Sequence, residues 1–209
     1  PNRGDDDDDD EPTSCAATDP IDQTKFPYTK ALHAPGACSN ADVAKLTAYF
    51  DANQSKQDFS VAAWAAEVGE DCAKCVFTDT SADSWGPIVV KDDELDVVNR
   101  GGCIEIASKN EACGKAYQQV LDCGIYACFP SAQGGFGTCK TQDEFDECRA
   151  DSQTIYAGPC ADAIAAVQTE CGSSLGAYEE ACTPPQGAKY IFEATIPAHC
   201  GGEAPDAGE

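Results

Sequence analysis

Fourteen cysteines constrain what this 209-residue chain can fold into more than any other feature. They stand at Cys15, Cys38, Cys72, Cys75, Cys103, Cys113, Cys123, Cys128, Cys139, Cys148, Cys160, Cys171, Cys182 and Cys200, spread along the chain rather than clustered. A chain this long buries an adequate apolar core without cross-links, so the cysteines report on the surroundings rather than on a deficit of core. Cytosolic thiols stay reduced, and so heavy a load is kept where disulfides persist: the periplasm, the cell surface or the exterior. The even count allows seven bridges. Zinc or iron-sulfur ligation is the competing use of so much sulfur. It fits poorly, because His33 and His199 are the only histidines and no two Cys-x-x-Cys knuckles occur.

No apolar run approaches the ~20 residues a membrane span requires, and no charged-then-apolar leader stands at Pro1. With the absence of Met, this fits an exported, processed chain, and it leaves room for a lipid anchor on a precursor. The formal charge is -24, from 37 acidic and 13 basic residues, which argues against nucleic acid and anionic membranes as partners. Part of that charge is local. Asp5 to Asp10 with Glu11 fall in residues 1–14, where nothing apolar can offset the entropy of ordering, so this stretch reads as an acidic disordered tail or stalk. Residues 201–209 read as a second flexible tail, leaving a folded body at 15–200 with subdomains at 15–86 and 103–200.

Helical signals dominate the body. Ser39 and Asp42 make a capping box before Val43, Leu46 and Phe50, and Ser60 caps a second helix through Val61, Trp64, Ala65 and Val68, stopped by Gly69. The two are expected to pair as a helical hairpin. From Trp85 to Ser108 short β-branched runs, Ile88-Val89-Val90, Val97-Val98 and Ile104-Glu105-Ile106, suggest a small sheet or extended crossover. Helical spacing returns at Cys113, Tyr117 and Val120, after the Thr141/Glu144 capping box, from Pro159 to Cys171 with Gly172 as the stop, and through Leu175, Tyr178 and Cys182 up to Pro184-Pro185. Tyr190 to Ile196 alternates loosely and reads as a late strand.

Cys113, Cys148, Cys160, Cys171 and Cys182 share the periodic positions of the apolar residues, so they face other helices. The spacings 103 to 113, 113 to 123, 160 to 171 and 171 to 182 each put a cysteine near either end of a three-turn helix. Neighbouring antiparallel helices are then open to stapling at both ends, each bridge adding roughly 2 to 4 kcal/mol.

Cys72-Ala-Lys-Cys75-Val-Phe, Gly101-Gly102-Cys103, the run from Cys113 to Cys123 (CGKAYQQVLDC) and Thr141-Gln-Asp-Glu-Phe-Asp-Glu-Cys148 together resemble cysteine-rich secreted proteins or envelope lipoproteins of myxobacterial type, over roughly residues 70 to 182. The resemblance implies an envelope location, with Pro1 to Glu11 similar to the stalk that follows a lipid-bearing cysteine in such proteins. It implies no activity.

Motifs that carry chemistry are thin. Cys72-Ala-Lys-Cys75 has redox-dithiol spacing, but Glu70 and Asp71 beside it disfavour a thiolate, and Val76 stands where haem attachment needs His. Gly172-Ser173-Ser174-Leu175-Gly176 matches a nucleophile-elbow string with His199 downstream, which makes a serine hydrolase using Ser174 and His199 an alternative reading. A helix rather than a strand precedes Ser174, no Asp lies between it and His199, and Glu179, Glu180 or Glu193 would have to complete a triad. Helix stop and cap is the plainer account of Gly172 and Ser173, and both histidines are expected at the surface. Asp79 and Asp83 are weak calcium candidates, since Ser84 and Val90 occupy positions where a calcium loop needs Gly and Glu. Arg3-Gly4-Asp5 spells an adhesion tripeptide, and Asn53-Gln54-Ser55 is a glycan acceptor only in a host with that machinery.

The sequence therefore predicts a mainly α, disulfide-stapled bundle of five to six short helices with a minor β or extended element. It predicts a secreted or envelope protein without enzymatic activity that binds an unknown protein or surface ligand or self-associates, with a structural subunit of a fibre or surface layer as the alternative. No cofactor is implied beyond the weak calcium candidates.

Overall fold

The computed structural model describes residues 14–131 and 134–201. The acidic block, the Arg3-Gly4-Asp5 tripeptide and all of the C-terminal tail after Gly201 lie outside the described residues. Gly201 itself is buried, its N–H donating to the Pro197 carbonyl at 3.0 Å.

The described chain is mainly helical. In order it runs α1 (Asn40–Asn53), α2 (Val61–Ala65), α3 (Glu70–Val76), β1 (Phe77–Asp79), β2 (Ile88–Lys91), β3 (Glu94–Val98), α4 (Arg100–Ser108), α5 (Glu111–Tyr126), α6 (Gln142–Ala150), α7 (Ser152–Ala157), α8 (Ala161–Cys171), α9 (Leu175–Ala181) and α10 (Phe192–Cys200). More helices form than the five to six expected, because α3 and α7 are one- or two-turn pieces too short to show a period and α4 and α10 occupy stretches expected as extended.

All fourteen cysteines pair: Cys15–Cys139, Cys38–Cys72, Cys75–Cys200, Cys103–Cys182, Cys113–Cys171, Cys123–Cys160 and Cys128–Cys148. Cys113 in the first turn of α5 bonds Cys171 at the end of α8, while Cys123 late in α5 bonds Cys160, the residue before α8. This reversed order is the two-ended staple that the cysteine spacing suggests.

Two compact units divide the chain, and both are discontinuous in sequence: residues 1–22 with 122–162, and residues 23–121 with 163–209. The expected subdomains at 15–86 and 103–200 follow chain order, whereas these units do not.

In the larger unit α10 packs on α1, α3 and α4. Phe192, Ile196 and Cys200 recur at helical spacing and are buried with Leu46, Trp64, Cys75, Val76 and Ile88. The expectation of a strand over Tyr190 to Ile196 is thus corrected to a helix. Its start is set by Glu193, whose carboxylate accepts the N–H groups of Lys189 at 2.7 Å and Tyr190 at 2.9 Å, a local signal that two-residue alternation obscures. Trp64 donates its indole N–H to the Leu46 carbonyl at 2.8 Å, fixing α2 against α1, and Phe50 packs between Phe59, Trp64, Tyr190 and Phe192. The α1 capping box forms in both directions between Ser39 and Asp42.

β1 pairs parallel with β2, and β2 pairs antiparallel with β3 through a tight turn at Asp92 and Asp93, both at positive φ. Ile104-Glu105-Ile106, expected as extended, lies in α4. Asn99 overrides the β-branched residues there: its side chain accepts the Gly102 N–H at 2.8 Å and caps the helix. Gly101 and Gly102 also admit neighbours that a side chain would displace, since a Cβ on Gly101 would stand 2.5 Å from the Gly114 carbonyl oxygen and one on Gly102 2.4 Å from Asn99 Nδ2. Glu105 accepts the Tyr28 hydroxyl at 2.8 Å and the Ala31 N–H at 2.9 Å, and burial together with this carboxylate pushes the Tyr28 phenol pKa up. A second apolar cluster gathers Cys103, Ile104, Cys113, Tyr117, Val167 and Cys182.

The smaller unit contains α6 and α7. Its N-terminal segment is tied by Ala17 N–H to the Ala127 carbonyl at 2.8 Å, Ile21 N–H to the Pro159 carbonyl at 2.9 Å and Thr138 N–H to the Cys15 carbonyl at 2.8 Å. The expected Thr141/Glu144 capping box opens α6 with both arms present.

Candidate functional site

One stripe of α1, made by Asn40, Val43, Ala44, Thr47, Ala48 and Asp51, faces a groove of about 490 Å³. These positions recur every three to four residues, so a single helix face supplies them. The opposite wall comes from the turn at Pro185 and Gly187, from Lys189, and from Glu193 and Pro197 on α10. Gly187 sits at a φ of 91°, where the chain reverses ahead of α10.

The charged end of the groove is organised around Asp51. Lys189 Nζ lies 2.7 Å from Asp51 Oδ2, and the Tyr190 hydroxyl donates to Oδ1 at 2.8 Å. The Lys189 ammonium, and after it the Tyr190 hydroxyl, hold the Asp51 carboxyl below its ordinary pKa, while the Asp51 carboxylate raises that of Lys189. Gln54 Nε2 donates to the Tyr190 oxygen at 2.5 Å. Thr47 Oγ1, buried within the groove wall, meets no hydrogen-bond partner among the described residues. The result is an apolar floor with an ion-paired, hydrogen-bonded end. The sequence showed the α1 face but not the wall opposite, which depends on the turn before α10.

The residues singled out from sequence are not gathered there, apart from Glu193. Ser174 is exposed in a 3-10 turn, Gly172–Ser174, with Gly172 at a φ of 62° as the helix stop; it precedes α9 without making a side-chain cap bond. His199, expected at the surface, is 0% exposed. Its Nδ1 lies 2.8 Å from the Leu32 carbonyl and so carries the proton as donor, and its Nε2 meets no hydrogen-bond partner among the described residues. Ser174 and His199 are therefore not hydrogen-bonded to each other. Burial lowers the His199 pKa to about 4, leaving it neutral near pH 7. His33 is exposed, as expected.

Cys72 and Cys75 bond different partners, Cys38 and Cys200, so the Cys-x-x-Cys spacing holds no internal dithiol. Asp79 turns inward on its own loop, accepting Ser81 N–H at 2.8 Å and Ser81 hydroxyl at 2.6 Å, bonds that depress its pKa; Asp83 is exposed. Among the described residues, the one set of three or more potential ligand atoms lying close together is Cys15, Cys139 and Cys148, with sulfurs within 4.8 Å of one another. All three sulfurs are consumed in disulfides, which removes the thiolates a metal would need. Cys15 and Cys148 open on a second cavity of about 670 Å³, within the smaller unit, walled also by Lys140, Glu144, Glu147 and Asp151.

None of the protein families, curated proteins or solved structures compared with the chain matches it.

Proposed function

We propose that this is a non-enzymatic, disulfide-hardened interaction module of the cell exterior or envelope, and that the groove between α1 and α10 takes an extended segment of a partner protein bearing apolar and basic side chains. The groove is the observation that carries this reading: Val43, Ala44, Ala48, Pro185 and Pro197 supply apolar surface beside Asp51 and Glu193, two carboxylates against the one ammonium of Lys189. The net charge of -24 favours a cationic partner over an anionic one. Seven disulfides support residence in an oxidising compartment.

Fluorescence anisotropy with a labelled peptide of alternating leucine and lysine tests it, with a leucine–glutamate peptide as control. Ala44 and Ala48 are exposed, so Ala44→Trp with Ala48→Trp fills the groove without disturbing the core. The lysine peptide is expected to bind the native chain and to lose at least about tenfold in affinity against the filled groove. Equal binding to both proteins would mark a mere charge effect and defeat the assignment.

A further inference from the structure

Two disulfides of the smaller unit stand against each other. The sulfurs of Cys15 and Cys139, which are bonded together, lie with that of Cys148 inside a 4.8 Å set, and Cys148 is bonded to Cys128. Cys15 is half-exposed and Cys139, Cys148 and Cys128 are buried. Of these four cysteines Cys15 and Cys148 line the 670 Å³ cavity, and because Cys148 is buried while Cys15 is half-exposed, a reagent arriving from solvent meets the outer bridge at Cys15.

Disulfides exchange when a thiolate attacks one sulfur and expels the other, and the rate depends on access, on the sulfur attacked and on the leaving thiol. We propose that Cys15–Cys139 and Cys128–Cys148 form one thiol-exchange site, in which attack by a small external thiol at Cys15 is relayed to Cys128. The external thiolate bonds to Cys15 Sγ and the Cys15–Cys139 bond breaks, leaving the electron pair on Cys139 Sγ. That thiolate attacks Cys148 Sγ, forming Cys139–Cys148 and expelling Cys128 as a thiolate, which takes a proton from water. Two disulfides are present before and after, one of them now to the external thiol, so no net oxidation or reduction occurs. The new bridge joins residues on either side of the α6 start, and it releases both the segment at Cys15 and the end of α5 at Cys128.

The walls select the thiol. Glu144, Glu147 and Asp151 outnumber Lys140, so the cavity attracts a cationic thiol and repels an anionic one.

The test exposes the full chain to a short pulse of cysteamine, quenches with acid, alkylates free thiols and maps peptic peptides by mass spectrometry. Expected are a cysteamine adduct on Cys15 and alkylation of Cys128, with cysteamine reacting on the order of tenfold faster than mercaptoethanesulfonate at low salt. Alkylation confined to Cys139 overturns the relay, and first attack at any other bridge overturns the entry point. Cys15→Ser provides a second reading without any reagent: the unpaired Cys139 is expected to yield a Cys139–Cys148 linked peptide with Cys128 free. Cys128–Cys148 alone, with Cys139 free, counts against the proposal.

Discussion

His199 Nδ1 donates to the Leu32 carbonyl oxygen across 2.8 Å, and no water-facing surface remains on the ring. The imidazole is thereby held in one tautomer, its Nε2 without a hydrogen-bond partner among the described residues, and protonating it would place a charge beside Asn99 and Gly102 in the core.

The first expected outcome concerns acid. His199 has its folded pKa depressed to about 4 from an ordinary 6.5, so the unfolded chain takes up the proton first as pH falls. Its contribution is present above pH 6.5, shrinks as pH falls toward 4, and amounts to about 3 kcal/mol once lost. Urea unfolding at intervals from pH 7 to pH 4 should show this decline, and His199→Gln should flatten it. Asp42, Asp79 and Asp151, whose carboxyls are lowered by hydrogen bonds, add their losses below that window.

Gly102→Ala should destabilise the larger unit by about 3 kcal/mol, because its Cβ would stand 2.4 Å from Asn99 Nδ2 and 2.6 Å from His199 Cε1. Gly176→Ala, with open space around it, is the control and should leave thermal unfolding unchanged or slightly raised.

Removing the staple between α5 and α8 as Cys113→Ser with Cys171→Ser should cost roughly 2 to 4 kcal/mol by calorimetry. Both sulfurs are buried, so the serine hydroxyls add a polar penalty; the Ala pair separates it from the loss of the cross-link.

Thr141→Ala should cost about 1 kcal/mol and fray the start of α6, visible as faster hydrogen exchange at Glu144 and Phe145.

The structure separates what local pattern can carry from what it cannot. Ser39/Asp42 and Thr141/Glu144 were readable because a capping box is complete within four residues. The two-ended α5/α8 staple was readable because the spacings Cys113 to Cys123 and Cys160 to Cys171 are nearly the same and each spans about three helical turns. Ile104 to Ile106 misled because β-branching speaks for strands until the cap at Asn99 and its glycines are weighed. His199 misled because burial is decided by α10 packing on α4, a contact between segments nearly a hundred residues apart. The groove needed the same long-range pairing of α1 with α10, so only one of its walls was legible.

The pairing also decides what happens to a nicked molecule. Cys15–Cys139 spans every peptide bond from 15 to 139, and Cys75–Cys200 spans every one from 75 to 200. A protease that cuts once anywhere between Cys15 and Cys200 therefore produces fragments that remain covalently joined, and only a reductant lets them part.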